Sequence, residues 1–497
     1  MKVIGIDMGT STISGVVADS ISGAVLAVRN IPNKSTVSTP NGWERIQDGD
    51  KACQAAKAVL DQLLTRCPDV QRIGLTGQMH GILYVNAEGE AASPLYTWQD
   101  GRGDLPEFGG RPLTALIREK TGLFVPSGYG LVTHLYQVKR NLVPKDGRFI
   151  CTVSDYLGMK LTGRREPLLH ASNGASLGFF DAKDRCFQAD AAEKAGIDLR
   201  ILPKIKDETE CLGKYRGIPV YAAIGDNQAS FLGAAGGREN TVLLNMGTGG
   251  QISLLSSEYL EIPGIETRPF VDRRYLLVGA SLCGGKAYAL LESFFRSYLA
   301  AAGADAPSQY PVMERLARAG WQRELRKNQG SRLGSGKGLG LSTREGLDSG
   351  KGLGLSTREG LDSGKGLEEG LSLKEYSQGQ RDWPDQIKTV TAFAGTRLDP
   401  KARGSITGIG VGNFTPEDVI CGVLKGMVEE LMEMYRQIRE RTGISADKLI
   451  LSGNGFRKNP VLQDMASHTF GLKASLAAGE EEAACGCAFG VAAAEEG

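Results

Sequence analysis

Histidine is scarce in this chain. His80, His134, His170 and His468 are the only four in 497 residues, too scattered to suggest a zinc centre. No Cys-x-x-Cys pair is present among the nine cysteines, Cys53, Cys67, Cys151, Cys186, Cys211, Cys283, Cys421, Cys485 and Cys487. The one close pair, Cys485-Gly-Cys487, sits in an alanine-rich run that reads as a packed helix. An odd count without a framework points to reduced thiols and a cytoplasmic protein. Net charge is nearly absent, +1 at pH 7, which gives no electrostatic reason to expect nucleic acid or an anionic membrane as partner. No apolar run approaches the roughly 20 residues that span a bilayer. Asp7 and nearby small residues interrupt the first apolar run too early for a signal peptide.

What remains is a globular composition, 41% hydrophobic and 23% charged. The length suits two domains of roughly 250 residues each. Residues 3–7, 13–18 and 24–30 read as a β-meander, and 50–66 as a helix with Ala52, Ala55, Ala56, Val59, Leu60 and Leu63 on one face. A buried strand at 73–75 runs into Thr76-Gly-Gln-Met-His-Gly81. Helices are expected at 114–121, 133–142 and 154–162, and a strand at 219–225 ending on Asp226. The second half repeats the plan: strands at 241–245, 251–255 and 275–279, helices at 284–300 and 416–442, a strand at 448–452 and a small-residue helix at 481–494. Mixed sheet and helix, twice over, predicts an α/β protein with ligand loops at strand ends.

One region breaks the plan. Residues 335–348 and 349–362 are identical, SGKGLGLSTREGLD, and a third partial copy follows. Rich in glycine and charge and poor in apolar residues, it offers too little burial to offset ordering entropy. It reads as a mobile surface insertion over about 328–380. Its Ser335-Gly-Lys-Gly338 is not a P-loop, because the first glycine and the Mg²⁺-binding hydroxyl are missing.

Two stretches share a design. Asp7-Met-Gly-Thr-Ser-Thr12 and Asn245-Met-Gly-Thr-Gly-Gly250 each follow one apolar strand and precede another. Glycines allow close approach to a phosphate, and backbone N–H groups with Thr or Ser hydroxyls can donate to its oxygens. Asp7 suits a Mg²⁺ shell through water. A plain hairpin explains one copy as well; two copies could hold a phosphate chain from both sides. Asp226, after a buried strand and before Asn227-Gln-Ala-Ser-Phe-Leu, fits a helix N-cap or a catalytic base. His80 fits a structural hydrogen bond or a site, and Gly453-Asn-Gly455 an ordinary turn or a flat surface for a base.

These motifs, with Trp98-Gln-Asp-Gly-Arg102, Asp155-Tyr156 and Gly453-Asn-Gly-Phe-Arg-Lys-Asn459, resemble in order and spacing the FGGY carbohydrate kinases of the actin–hexokinase–Hsp70 superfamily. The resemblance runs from about residue 2 to 494 and breaks only at the repeat. It implies two ribonuclease-H-like domains facing across a cleft, 1–238 on the sugar and metal side and 239–497 on the nucleotide side. It implies ATP and Mg²⁺ as cofactors and a ketose as substrate. Asp226 would take the proton from the sugar hydroxyl and also stand near the metal with Asp7. Gln78, Met79, His80 and Asn227 would meet the sugar. Thr10, Ser11 and Thr12 would face the γ-phosphate, and Gly247, Thr248 and Gly249 the nucleotide phosphates. Gly453, Asn454, Gly455 and Asn459 would flank adenine. Asp100 and Arg102 are expected to pair locally; Trp98 is open between core ring and apolar face for the sugar. A homodimer is a family-level expectation.

Gln78-Met-His80 resembles ketose kinases of the xylulose and sedoheptulose type. Gly225-Asp-Asn-Gln-Ala-Ser230, Trp98-Gln-Asp and His170-Ala-Ser-Asn-Gly-Ala-Ser-Leu-Gly-Phe-Phe180 resemble the sedoheptulose type more. The implied reaction is phosphorylation of the terminal primary hydroxyl of sedoheptulose, with xylulose as runner-up. A non-catalytic sensor and a sugar-independent ATPase on the same fold are the other classes. Gly422 and Lys425 depart from the second family signature, where a small Ala or Ser and an acidic or Gln residue are usual.

Overall fold

The structure is a computed structural model that describes residues 1–334, 386–396, 399, 401–479, 481–492 and 494. The repeat at 335–362 and most of the expected insertion lie outside the described residues; the insertion's first residues belong to a helix, Tyr310–Gly334. Among the described residues no helix is long and apolar enough to cross a membrane. Two compact units are present: Met1–Ala287 with Thr391–Arg403 and Met427–Gly497, and Tyr288–Val390 with Gly404–Gly426.

The first unit contains two sheets of like plan. In the first, strands Lys2–Met8, Thr12–Asp19 and Val25–Pro32 form the expected antiparallel meander. Arg72–Gly77 then pairs parallel with Lys2–Met8, aligning Asp7 with Thr76. In the second, Thr241–Met246 and Gly250–Ser256 form the antiparallel hairpin, Tyr275–Ser281 continues it, and Lys448–Ser452 pairs parallel with Thr241–Met246. Val3, Ile4 and Ile6 are fully buried, as are Val242 and Leu244 at the matching place. Each such side chain removed from water contributes about 1.5–3 kcal/mol. Helix Gly49–Arg66 covers the first sheet with the face expected from its spacing; Asp48 caps it by accepting from the Lys51 N–H at 3.0 Å.

The expected strand at 219–225 is two pieces, Ile218–Tyr221 and Ile224–Gly225. Both pair with Arg72–Gly77, but the chain steps off between them, where the Ala222 N–H donates to the Glu210 carbonyl. Gly453–Arg457, read as a turn, is a short helix. The helix expected at 133–142 is Gly130–Lys139, stopped by Asn141 at φ 54°. The edge strand Ile265–Pro269 had no clear signal in the sequence.

The C-terminal helix Glu482–Gly490 explains its small residues. A Cβ on Gly486 would lie 1.7 Å from the Ala229 carbonyl oxygen, and one on Gly233 would lie 1.9 Å from that of Glu482. Only glycine lets this helix meet Asp226–Ala235 so closely. All nine cysteines are free thiols, and Cys487 is buried in that contact.

In the second unit, the first part of helix Pro416–Thr442 carries both signature departures. A Cβ on Gly422 would stand 2.7 Å from Ile387 Cγ2, so glycine makes room for that side chain. Lys425 Nζ pairs with Glu324 Oε1 at 2.5 Å and donates to Gln386 Oε1 at 3.1 Å. The two departures are thus local adaptations to these neighbours.

Candidate active site

Parallel pairing brings the key residues of the first sheet together. Lys2–Met8, Arg72–Gly77 and Ile224–Gly225 end side by side, with Gly225 opposite Gly77 and Gly77 opposite Met8. Asp7, Thr10, Gln78–His80 and Asp226 therefore leave adjacent strand ends. The short strand before Asp226 is anchored on several sides. Thr76 Oγ1 donates to the Ile224 carbonyl at 2.8 Å, Asn173 Nδ2 to that of Ala223 at 3.1 Å, and the Gly225 N–H to Ser172 Oγ at 3.0 Å. Ser172 Oγ in turn lies 2.7 Å from His170 Nδ1. The 170–180 stretch is thus a brace for the strand that aims Asp226.

Asp226 is the first residue of its helix; Gly225 holds the cap position, so the N-cap reading is corrected by one residue. A carboxylate there faces the positive end of the helix dipole. Burial pushes the Asp226 carboxyl up to about 6, opposed by the nearby Arg268 guanidinium and by the Asn227 N–H and amide. Burial also pushes Asp7 up to about 7, with the negative charges of Asp226 and Glu481 adding to it. Two close oxygen-donor acids whose ionised forms are disfavoured together fit a hard divalent cation, which would offset that repulsion.

The hydroxyl of Thr10 is occupied. It donates to Gln78 Oε1 at 3.3 Å and accepts from Trp98 Nε1 at 3.0 Å. Gln78 Nε2 donates to Gln47 Oε1 at 2.8 Å, and Gln47 Nε2 to the Thr10 carbonyl at 2.8 Å. This ring of amides shapes the first hairpin, leaving Ser11 and Thr12 exposed. Trp98, left open by the sequence, is half-exposed and tied to the hairpin rather than packed in a core. Asp100 and Arg102 pair as expected, Nε to Oδ1 at 2.6 Å, with the guanidinium over the Tyr96 ring at 4.3 Å.

His80 adopts φ 71°, sparsely populated for a non-glycine residue. Its N–H donates to Ser176 Oγ at 3.1 Å, and its Nδ1 lies 2.8 Å from the Ser176 carbonyl, which places the ring proton on Nδ1. The ring stacks on Tyr129, centroids 4.2 Å apart. Met79 is buried with its sulfur against Gly225.

At the second hairpin, Gly247 and Thr248 are exposed. The Gly285 N–H donates to the Gly247 carbonyl at 2.9 Å and the Lys286 N–H to that of Thr248 at 3.0 Å, so a helix start closes on the turn. Gly453–Gly455 lies beside it: Gly453 sits at φ 83°, and a Cβ there would be 2.7 Å from the Met246 carbonyl oxygen. Asn454 is exposed. Asn459 is different. Its side chain is buried and caps helix Pro460–Phe470 by accepting from the Leu462 N–H at 3.1 Å.

Comparison with known proteins decides the family. The N-terminal domain of the FGGY family of carbohydrate kinases matches residues 2–233, and its C-terminal domain matches 381–495. The chain belongs to the FGGY family of carbohydrate kinases. As an FGGY carbohydrate kinase it is a phosphotransferase that uses ATP and acts on a sugar. The sedoheptulokinase of Mus musculus is 26% identical over 94% of this chain and 92% of its own length. A xylulose kinase of Streptomyces coelicolor is 27% identical over 55% of this chain and 58% of its own length. The solved xylulose kinase from Rhodospirillum rubrum superposes with a TM-score of 0.73 at 20% identity, covering 99% of this chain and 89% of that one. That likeness gives the kinase its actin/hexokinase-like fold of two ribonuclease-H-like domains.

Arg268, Tyr129 and Gln47 were missed from the sequence, and the 170–180 stretch stood out there as a resemblance and not as a brace. Arg268 carries no local signal: it sits in an edge strand, and only the tertiary fold brings it to Asn227.

Proposed function

We propose that this kinase transfers the γ-phosphoryl group of ATP to the terminal primary hydroxyl of sedoheptulose, giving sedoheptulose 7-phosphate. The observation that carries the catalytic part is the pair of carboxylates, Asp7 and Asp226, at the ends of the two strands that flank Arg72–Gly77, each held above its ordinary range by burial. With its carboxyl near 6, Asp226 is ionised at pH 7.5 and still basic enough to accept a proton. It takes the proton of the attacking hydroxyl as the oxygen bonds to phosphorus and ADP leaves. Such a transfer needs alignment and charge neutralisation more than covalent help. Asp7, with Asp226 nearby, would hold Mg²⁺, which would supply the charge neutralisation. Ser11, Thr12 and the backbone at Thr10 face the γ-phosphate; Gly247, Thr248 and Gly249 take the nucleotide phosphates; Gly453, Asn454 and Gly455 lie against adenine. Asn459 shapes that wall through its helix cap. His80 and Asn227 read sugar hydroxyls, Gln78 holds Thr10, and Met79 forms an apolar floor. On this reading a boundary at 238/239 divides the two sets of contacts within one compact unit.

Near-full-length similarity to a sedoheptulokinase supports the seven-carbon substrate, against a partial match to xylulose kinase. Xylulose is the second reading, supported by that match. A coupled ADP assay with Mg²⁺-ATP over sedoheptulose, xylulose, gluconate and glycerol tests the choice: kcat/KM highest for sedoheptulose is expected, and a higher value for another acceptor replaces the substrate. Asp226→Ala should keep nucleotide binding while losing about 10²–10⁴-fold in sugar-dependent turnover. Near-normal turnover in that variant removes Asp226 as the base, and equal ADP release without sugar points to a plain ATPase.

A further inference from the structure

We propose that Arg268 is a positioning residue for phosphoryl transfer, acting through Asn227 to orient the groups around Asp226. This rests on the reading of Asp226 and Asn227 given above. Arg268 lies on the edge strand Ile265–Pro269 of the second sheet, whereas Asp226 and Asn227 begin a helix that follows the first. The guanidinium is largely buried, with 14% of the side chain exposed. Its Nε and Nη2 donate to Glu266 Oε2 at 2.9 and 2.6 Å, which fixes the plane of the fork. Its Nη1 donates to Asn227 Oδ1.

The chemistry of that last contact sets a direction. A guanidinium has donors only, so Asn227 must turn its carbonyl oxygen towards Arg268. The amide nitrogen then faces the other way, and it donates to Asp226 Oδ1 at 3.1 Å. One carboxylate oxygen is held by Asn227 and the other is left to meet the acceptor hydroxyl. Without Arg268 the amide can rotate and turn its oxygen on the carboxylate. The same strand reaches the helix a second time, where Gln228 Nε2 donates to the Pro269 carbonyl at 2.9 Å. The edge strand therefore fixes the first turn of this helix as well as the amide.

A double-mutant cycle tests this. Arg268→Met and Asn227→Ala should each lower kcat/KM for the sugar by about 10- to 100-fold, the loss that a hydrogen bond to a charged group carries. The double variant should be no more than about threefold worse than Asn227→Ala, because the two residues act as one unit. The KM for ATP should stay within about twofold. Arg268→Lys, which keeps a charged donor, should recover part of the loss and closes the same cycle if Arg268→Met does not fold. Losses that multiply, or an ATP KM that moves with the sugar term, overturn the proposal. All these variants keep Asp226, so failure here is distinct from failure of the base, which the Asp226→Ala assay reads separately.

Discussion

The two glycine hairpins are built alike and charged differently. Both join antiparallel strands of a meander, and both sit beside a parallel partner strand. The first opens on Asp7, a carboxylate whose nearest charges are the like charges of Asp226 and Glu481. The second opens on Asn245, whose amide donates to Ser452 Oγ at 3.1 Å. Ser452 donates to Glu482 Oε2 at 2.5 Å, and Glu482 pairs with Arg457 at 3.0 Å. Burial raises Glu482 as it raises Asp7, but Glu482 is paired with the Arg457 cation, whereas the charges acting on Asp7 are like charges. Backbone and glycines suffice to hold a nucleotide's phosphates. Proton transfer and cation binding need acids that the protein has not already neutralised.

Making the first hairpin like the second is the sharpest way to break the comparison. Asp7→Asn keeps the size and removes the charge. Turnover with Mg²⁺-ATP and sugar should fall by about 10²–10³-fold, the scale on which one preorganised electrostatic group acts. Nucleotide binding followed by fluorescence should change far less. A variant that keeps more than a third of wild-type kcat would show that the Asp/Asn difference between the hairpins has no catalytic meaning.

The next largest effect concerns stability. Asp155 is also an acid of the first half, 2% exposed, bonded by Thr152 Oγ1 at 2.6 Å and by Asn173 at 3.3 and 3.4 Å. Burial nonetheless pushes its carboxyl up to about 7, from 3.8 when unfolded. Between those values the folded chain keeps a proton that the unfolded chain has lost, so folding stability falls as pH rises from about 4 to 7 and levels off above. Asp155→Asn removes this slope. The wild type should lose stability relative to the variant from pH 4.5 to 7.5, by about 3 kcal/mol at 1.36 kcal/mol per pKa unit. Urea unfolding at the two pH values checks it. Parallel curves for the two proteins would show that the burial of this acid has no energetic consequence.

Much of the scaffold was legible because its signals are local. β-Branched runs between glycine turns marked the first meander, apolar runs marked the strands of the second sheet, and the spacing of Ala52, Ala56, Val59 and Leu63 marked a helix face. The candidate residues at strand ends lie where those runs stop. What stayed hidden depends on contacts distant in sequence. Ile218–Tyr221 and Ile224–Gly225 look like one strand until both pair with Arg72–Gly77. Thr10 looks like a free phosphate donor until Gln78 and Trp98 take its hydroxyl. Asn459 reads as part of a base-flanking segment, and its cap on Leu462 appears only in the fold. Arg268 has no local pattern at all, since its partner Asn227 stands 41 positions earlier.

The converse exchange carries the smallest effect and sharpens the comparison most. Asn245→Asp would give the second hairpin the charge of the first. The new carboxylate would keep Ser452 as a hydrogen-bond partner, since the hydroxyl can donate to it once released from Glu482. It would also stand near the phosphates that Gly247–Gly249 are proposed to hold, and like charges repel across so short a gap. The expected outcome is a KM for ATP raised about 10-fold, which corresponds to about 1.4 kcal/mol, with kcat at saturating ATP nearly unchanged and the sugar KM unmoved. Steady-state kinetics with both substrates varied separates the terms. If kcat fell as steeply as in Asp7→Asn while the ATP KM stayed put, the second hairpin would be acting on the reacting group rather than on the nucleotide. The division of labour drawn from Asp7 and Asn245 would then have to be reversed.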